Sequence, residues 1–263
     1  MTTTYNSNNT AGAYNKARLI PESTMGQWMD FLTASVSPID VETILDLGCG
    51  TGRFSYALYE HYKCQIIAVD PSEAMLQQGR NDQTSETNIS WLKGIAEDIP
   101  TDDNSVDLVW MSQSFHHIDR RELAFKEICR VTRNHGYLAV RNGVKDHINE
   151  IIWYHFSPEV AEIDRNRMPS QTDIINLIVK YDFRLCVSIR FYQYFAESYH
   201  EYVDRISRRG LSALITIDGD AFERGLKKLK KWVINRPEKE PVYEPIDLLI
   251  FRKEKGNPTK PFN

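Results

Sequence analysis

Residues 45–54 read LDLGCGTGRF: an apolar run, an acid, glycines at 48, 50 and 52, then Arg53. Without side chains, Gly48, Gly50 and Gly52 permit positive φ and close approach of a backbone to a ligand, as a nucleotide turn requires. A dinucleotide turn reads G-x-G-x-x-G, with the pyrophosphate on the following helix N-terminus. Here the spacing is one residue shorter, and the absence of G-K-[ST] excludes a P-loop. Asp46 sits just ahead of the turn. A carboxylate there would repel a pyrophosphate but suits a ligand carrying an ammonium or a positive sulfur.

Two further acidic signals follow. Asp70, in IIAVDPSEAML, comes about 20 residues past the turn and can accept both hydroxyls of a ribose. Alone, it does not separate NAD from other adenosine cofactors. AEDIP at 96–100 then offers Glu97 and Asp98 to an adenine amino group. Finally, SQSFHHID brings Ser112, Gln113, His116 and His117 to the carboxyl end of a strand. That edge is where doubly wound sheets hold their ligands.

The elements that must position these residues alternate. Short, nearly continuous apolar runs at 43–48, 65–69, 106–112 and 137–141 read as buried parallel strands. A helical stripe of Ala124, Ile128 and Val131 lies between two of them. This alternation predicts βαβ units and a doubly wound α/β sheet. Residues 14–36 have helical spacing broken at Pro21. Later, Ser170 and Asp173 form an S-x-x-D helix start, RLCVSIRFYQYF at 184–195 reads as strand, and residues 196–234 read as helical. The chain closes with a strand around 246–252. Lys227, Lys228, Lys230 and Lys231 lie off the stripe of Phe222, Leu226, Leu229 and Val233, which marks them as a solvated face.

The whole chain bounds the function. Its 263 residues carry 32 basic and 36 acidic side chains, a net charge of −4. No global field draws it toward nucleic acid. No apolar run reaches the length of a bilayer span, and the polar start MTTTYNSNNT gives no secretory signal. Cys49, Cys64, Cys129 and Cys186 form no C-x-x-C pair and read as small buried thiols in a reducing cytosol, with no metal site. A cytoplasmic protein is expected.

In order and spacing, ILDLGCGTGRFS, AVDPSEAML, AEDIP and VDLVWMSQSFHHI resemble the class I S-adenosylmethionine-dependent methyltransferases, particularly the small-molecule group similar to quinone-biosynthesis enzymes. The resemblance covers residues 14 to 145. It implies a Rossmann-like sheet of about seven strands, the last antiparallel, with helical cap insertions. It implies S-adenosyl-L-methionine as cofactor. Gly48, Gly50 and the adjoining backbone would contact the methionine part, and Asp70 the ribose. Pro71 and Met75 would lie against the adenine, with Glu97 and Asp98 at its edge, and the Ser112 carbonyl would receive the ammonium. Tyr14 and Arg18, in a Tyr-x-x-x-Arg segment, either close over the site, with Arg18 on the cofactor carboxylate, or make an amphipathic helix contact. The single Gly136 of RNHGYL replaces the Pro-Gly-Gly turn of many relatives, a local adjustment. The expected division is a disordered tail at 1–12, lid helices at 13–40, a cofactor-binding core at 41–145, the remaining sheet and cap at 146–253, and a tail at 254–263.

Methyl transfer from a sulfonium needs alignment and a dry pocket more than a strong acid. A base is needed only where the acceptor loses a proton. His117 or His116 suits that role, with His117 expected to face the pocket; otherwise one shapes the pocket and the other packs or caps a helix. The acceptor pocket is expected from the N-terminal helices and late insertions. There Trp153–Phe156 and the group Phe191, Tyr192, Tyr194, Phe195, Tyr199 and Tyr202 would suit a planar or lipid-like small molecule, or else join a cap to the sheet. Action on RNA or protein, and cofactor binding without turnover, remain as alternatives.

Overall fold

Thr43–Leu47 (β1, TILDL) is buried along its whole length, and its side chains alternate between two cores. Leu45 and Leu47 join one cluster, Ile44 the other. Such a strand is stable only with a helical layer on each face. The computed structural model describes residues 20–84, 86–210 and 212–255. Tyr14, Arg18, the tail at 1–12 and all but the first two residues of the tail at 254–263 lie outside them.

The other strands are β2 (Gln65–Asp70), β3 (Ile89–Lys93), β4 (Val106–Ser112), β5 (Thr132–Asn142), β6 (Phe183–Ala196) and β7 (Val242–Lys253). Their order is β3-β2-β1-β4-β5-β7-β6. The first five are parallel, and β7 runs antiparallel to both β5 and β6. This is the expected Rossmann-like sheet. After β3 the chain returns to the far side of β1, so the direction of winding reverses between β1 and β4. A crevice opens at that switch point, outside the carboxyl ends of the strands.

On one face, α1 (Glu22–Thr33), α2 (Arg53–Tyr62) and α3 (Glu73–Asn81) bury Trp28, Met29, Leu32, Phe54, Leu58 and Leu76. The helix expected as part of a lid is thus built into the core. On the other face, α4 (Arg121–Val131) and α6 (Gln171–Ile178) supply Ala124, Phe125, Ile128, Ile174 and Ile178. The expected cap on α6 is a reciprocal box: Asp173 N–H donates to Ser170 Oγ and Ser170 N–H to Asp173 Oδ2, each at 2.9 Å.

A third core belongs to the cap. Here α5 (Pro158–Arg167), α7 (Tyr199–Ser207), α8 (Ser212–Thr216) and α9 (Gly219–Val233) gather around Trp153, Tyr202, Phe222 and Leu229. Asp247 on β7, only 1% exposed, ties the layers: His147 Nε2 lies 3.1 Å from its Oδ1, and Gln171 Nε2 donates to its Oδ2 at 2.8 Å. The lysines of α9 are exposed, as expected. The single-glycine segment, expected as a turn ahead of the fifth strand, lies inside β5 as a bulge, with His135 at φ 66°. Of the cysteines, only Cys129 is buried, and Cys186 is exposed on the edge strand β6. The apolar runs predict burial, but along β6 half-buried and exposed positions alternate, and Cys186 falls on the exposed side. All four are free thiols.

Gly52, expected at the cofactor, serves packing instead. It caps α2 with φ 78°, and a Cβ there would lie 2.1 Å from the Trp91 ring, which also occupies the space beside Gly79. Gly52→Ala must therefore strain the backbone and displace a buried indole. It should cost about 1–3 kcal/mol, read as a lower midpoint in denaturant unfolding.

Candidate functional site

The turn after β1 is held by backbone bonds that need no side chains. The Gly48 and Cys49 N–H groups both donate to the Val69 carbonyl, at 2.8 and 3.1 Å. Gly48, Gly50 and Gly52 all have positive φ. At Gly48 a Cβ would fall 2.6 Å from Ser114 Cβ, so this glycine admits a neighbouring loop. Gly50 is different. Nothing lies within 4 Å of where its Cβ would be, so it presents bare backbone to open space.

That space is a cavity of about 410 Å³, within the usual range for small-molecule and cofactor sites. Its wall comes from the carboxyl ends of β1, β2, β3 and β4. Gly48, Gly50, Asp70, Pro71, Met75, Glu97, Ser112, Gln113 and His117 all line it. Asp70 is 9% exposed, and each of its oxygens accepts one backbone N–H at 2.9 Å, Oδ2 from Gly50 and Oδ1 from Ser72. Burial raises its carboxyl above the ordinary value, and the Ser72 and Gly50 N–H groups oppose that rise. A carboxylate oxygen so engaged retains accepting capacity for a ligand hydroxyl.

Glu97 Oε1 accepts the Arg120 N–H at 3.1 Å. Gln113, at φ 56°, turns its side chain back so that Oε1 accepts the Gly143 N–H at 3.1 Å. Ser112, at the end of β4, offers its Oγ to Arg141 Nη1 at 3.0 Å.

Besides Gly52, Asp98 and His116 are expected in the site but stand apart from the cavity. Asp98 is exposed, and its N–H closes a turn onto the Ile95 carbonyl at 3.2 Å. His116 is buried beneath His117, ring centroids 4.1 Å apart, and only His117 faces the cavity. In the 3-10 turn Phe115–His117, adjacent residues must point in different directions.

Asp46 lines a smaller hollow of about 20 Å³ that shares Gly48 and Ser112 with the cavity and also touches Arg53 and Phe54. It is 1% exposed and accepts Ser55 Oγ at 2.6 Å. Burial pushes its carboxyl up to about 7, against the Ser55 bond. The Cys49 thiol beside it is also pushed well up by burial, which keeps it protonated and unreactive.

The expected aromatic acceptor clusters do not line the cavity. Trp153 and Phe222 pack together in the cap core, as do Phe195 and Tyr202. Phe191 packs edge-on against Trp28, 4.9 Å between centroids, on the far side of the sheet. The cap contributes Ile163, Arg167 and Thr216 to the cavity instead.

Arg141 was not anticipated. It is 2% exposed, stacked 4.5 Å from the Trp28 ring and 5.1 Å from the Phe54 ring. Besides Ser112 it bonds Gln193, which also accepts Trp28 Nε1 at 2.9 Å. The available signal was a charged residue ending an otherwise apolar strand, since arginine is rarely buried without partners.

Residues 45–140 match the family model described as a methyltransferase domain. An uncharacterised methyltransferase of Mycobacterium tuberculosis is 36% identical over 135 residues, 51% of this chain and 51% of that one. Demethylmenaquinone methyltransferase of Clavibacter sepedonicus is 32% identical over 113 residues, 43% of this chain and 46% of that one. The chain thus spans about half the length of these curated relatives. A solved structure from Anabaena variabilis, assigned as a methyltransferase from an antibiotic biosynthesis pathway, superposes with a TM-score of 0.72 at 23% identity. It covers 85% of this chain and 96% of that one, a likeness of fold.

The raised Asp46 has a consequence for stability. Its folded value of about 7 lies above the ordinary 3.8, so between these limits the folded state binds the extra proton. Stability therefore falls as pH rises through that window. Asp46→Asn should show a smaller loss of melting temperature than wild type from about pH 5 to about pH 8 in scanning calorimetry. Parallel slopes would assign the titration elsewhere.

Proposed function

From the premise that residues 45–140 form a methyltransferase domain, we propose that the protein transfers a methyl group from S-adenosylmethionine to a small-molecule acceptor. One observation carries the reading: bare backbone at Gly50 and the engaged carboxylate of Asp70 share one cavity wall at the switch point. The residues present fit the cofactor. Asp70 would accept the ribose hydroxyls, while Pro71, Met75 and Ile118 would pack on the adenine and Glu97 would meet its edge. Gly48 and Gly50 would admit the methionine backbone. The Ser112 carbonyl would take the ammonium, close to the acidic Asp46. The bound cofactor supplies a methyl group activated by positive sulfur, transferred by in-line displacement.

Residues 41–145 would then hold the donor, and the cap within 146–253 would shape the acceptor space. The apolar wall formed by Leu47, Met111, Ile118 and Ile163 excludes water and fixes alignment, which such a displacement needs most. His117 would accept a proton on its ring where the acceptor must lose one, with buried His116 setting the orientation of the turn. Among the described residues no helix is long and apolar enough to cross a membrane. Free thiols and the −4 net charge support a cytoplasmic enzyme acting on a small molecule rather than on nucleic acid.

Calorimetric titration with S-adenosylmethionine should give one site per chain. Asp70→Ala should weaken it by about tenfold or more, the loss of charge-assisted bonds; unchanged affinity would refute the assignment. In a screen of small-molecule extracts with a labelled methyl donor, His117→Ala should lower turnover and alter its pH profile while donor affinity stays at the wild-type value. Label appearing only in RNA or protein would overturn the small-molecule reading.

A further inference from the structure

We propose that Arg167 selects the acceptor and that the acceptor carries an anionic group, a carboxylate or a phosphate, gripped by the guanidinium; the proposal rests on the methyltransferase reading above. The cavity has two chemically different sides. In the strand order, the ends of β2 and β3 lie to one side of β1 and β4 lies to the other. The β2–β3 side carries Asp70 and Glu97, acceptors suited to the hydroxyl and amino donors of an adenosine. The β4 side carries Gln113 and His117, and over the cavity the cap sets Ile163, Arg167 and Thr216.

Arg167 is fixed before any ligand arrives. Its Nε donates to Asp164 Oδ1 one helical turn back. The Asp164 side chain is 3% exposed, and its other oxygen accepts the Tyr154 hydroxyl. The next residue, Met168, anchors the end of α5. Its Cε lies 3.9 Å from the position of a Cβ on Gly143, beside Gln113 Oε1 at 3.8 Å. The end of α5 is thereby seated beside Gly143 and Gln113, the residue that follows β4, and Arg167 and His117 line the same cavity.

The pairing with Asp164 uses one N–H of five. The Nη groups of Arg167 have no hydrogen-bond partner among the described residues, although the side chain is 19% exposed and lines the cavity. Asp70, Glu97 and Asp119 also line that cavity, yet none pairs with Arg167; its ion-pair partner is Asp164 alone among the described residues. A planar fork held at Nε, with both terminal nitrogens open, matches the two oxygens of a carboxylate or phosphate. Ile163 and Met111 leave an apolar surface for the body of such a molecule.

The test uses full-length protein with and without saturating S-adenosylhomocysteine, probed by ligand-observed NMR with butyrate, butyramide and inorganic phosphate. Butyrate or phosphate should bind about tenfold or more tightly than butyramide, and the stronger of the two anions identifies the group. Asp164→Asn/Arg167→Met, which leaves no lone buried carboxylate, should erase the preference. Arg167→Lys should retain part of it as a point charge without the fork. S-adenosylhomocysteine affinity should be the same in all three proteins. Equal binding of acid and amide, no binding of either anion, or a preference surviving in the double variant overturns the proposal. Failure of S-adenosylhomocysteine to bind wild type instead overturns the methyltransferase reading, and the titrations without it still report on the anion slot.

Discussion

Two backbone N–H groups meeting one buried carboxylate hold the candidate site together. Gly50 belongs to the turn after β1, Ser72 to the loop after β2, and both donate to Asp70. Without that acid, two polar loops at the sheet edge would each carry an unsatisfied donor next to an apolar wall, a costly arrangement. With it, the loops are locked in register, and Asp70 is aimed into the space between them. The switch of winding direction opens the crevice, and Asp70 gives it a floor of defined shape. Helix packing, strand order and the glycine backbone all bear on the placement of this one carboxylate.

Much of this was legible in the sequence, because the features concerned are local. Short apolar runs give strands, alternation with helical stripes gives a parallel sheet, and a turn with three glycines can hardly be anything but a place where backbone is exposed or crowded. Asp70, Met75, Ser112 and His117 follow at the ends of strands or just beyond, so their positions come with the fold. The capping box at Ser170 is legible for the same reason, since both partners lie within one turn.

What the sequence did not disclose depends on contacts distant along the chain. The G-x-G-x-G pattern cannot distinguish a glycine facing a ligand, as Gly50 does, from one facing an indole 39 residues away, as Gly52 does. The aromatic residues at 153–156 and 191–202 read more readily as joining a cap to the sheet than as pocket walls; the packing of α7 and α9 draws Trp153, Phe195 and Tyr202 into the cap core, while Phe191 joins the core around Trp28. Arg141 and Arg167 carry no motif. One is placed by a strand end between two aromatic rings, the other by a cap helix that only the tertiary fold lowers onto the cavity. The donor half of such a site is written in local pattern, while the acceptor half is written in topology.

The Trp91 ring fills the space that side chains at both Gly52 and Gly79 would claim, so a single indole sets the separation of α2 from α3. The three positions cannot drift independently. A lineage gaining a methyl group at 52 or 79 must first shrink residue 91, and one that shrinks 91 first must tolerate a void until a glycine is filled. Residues 52, 79 and 91 therefore form one inherited character, and sequences descended from this one should change them as a set.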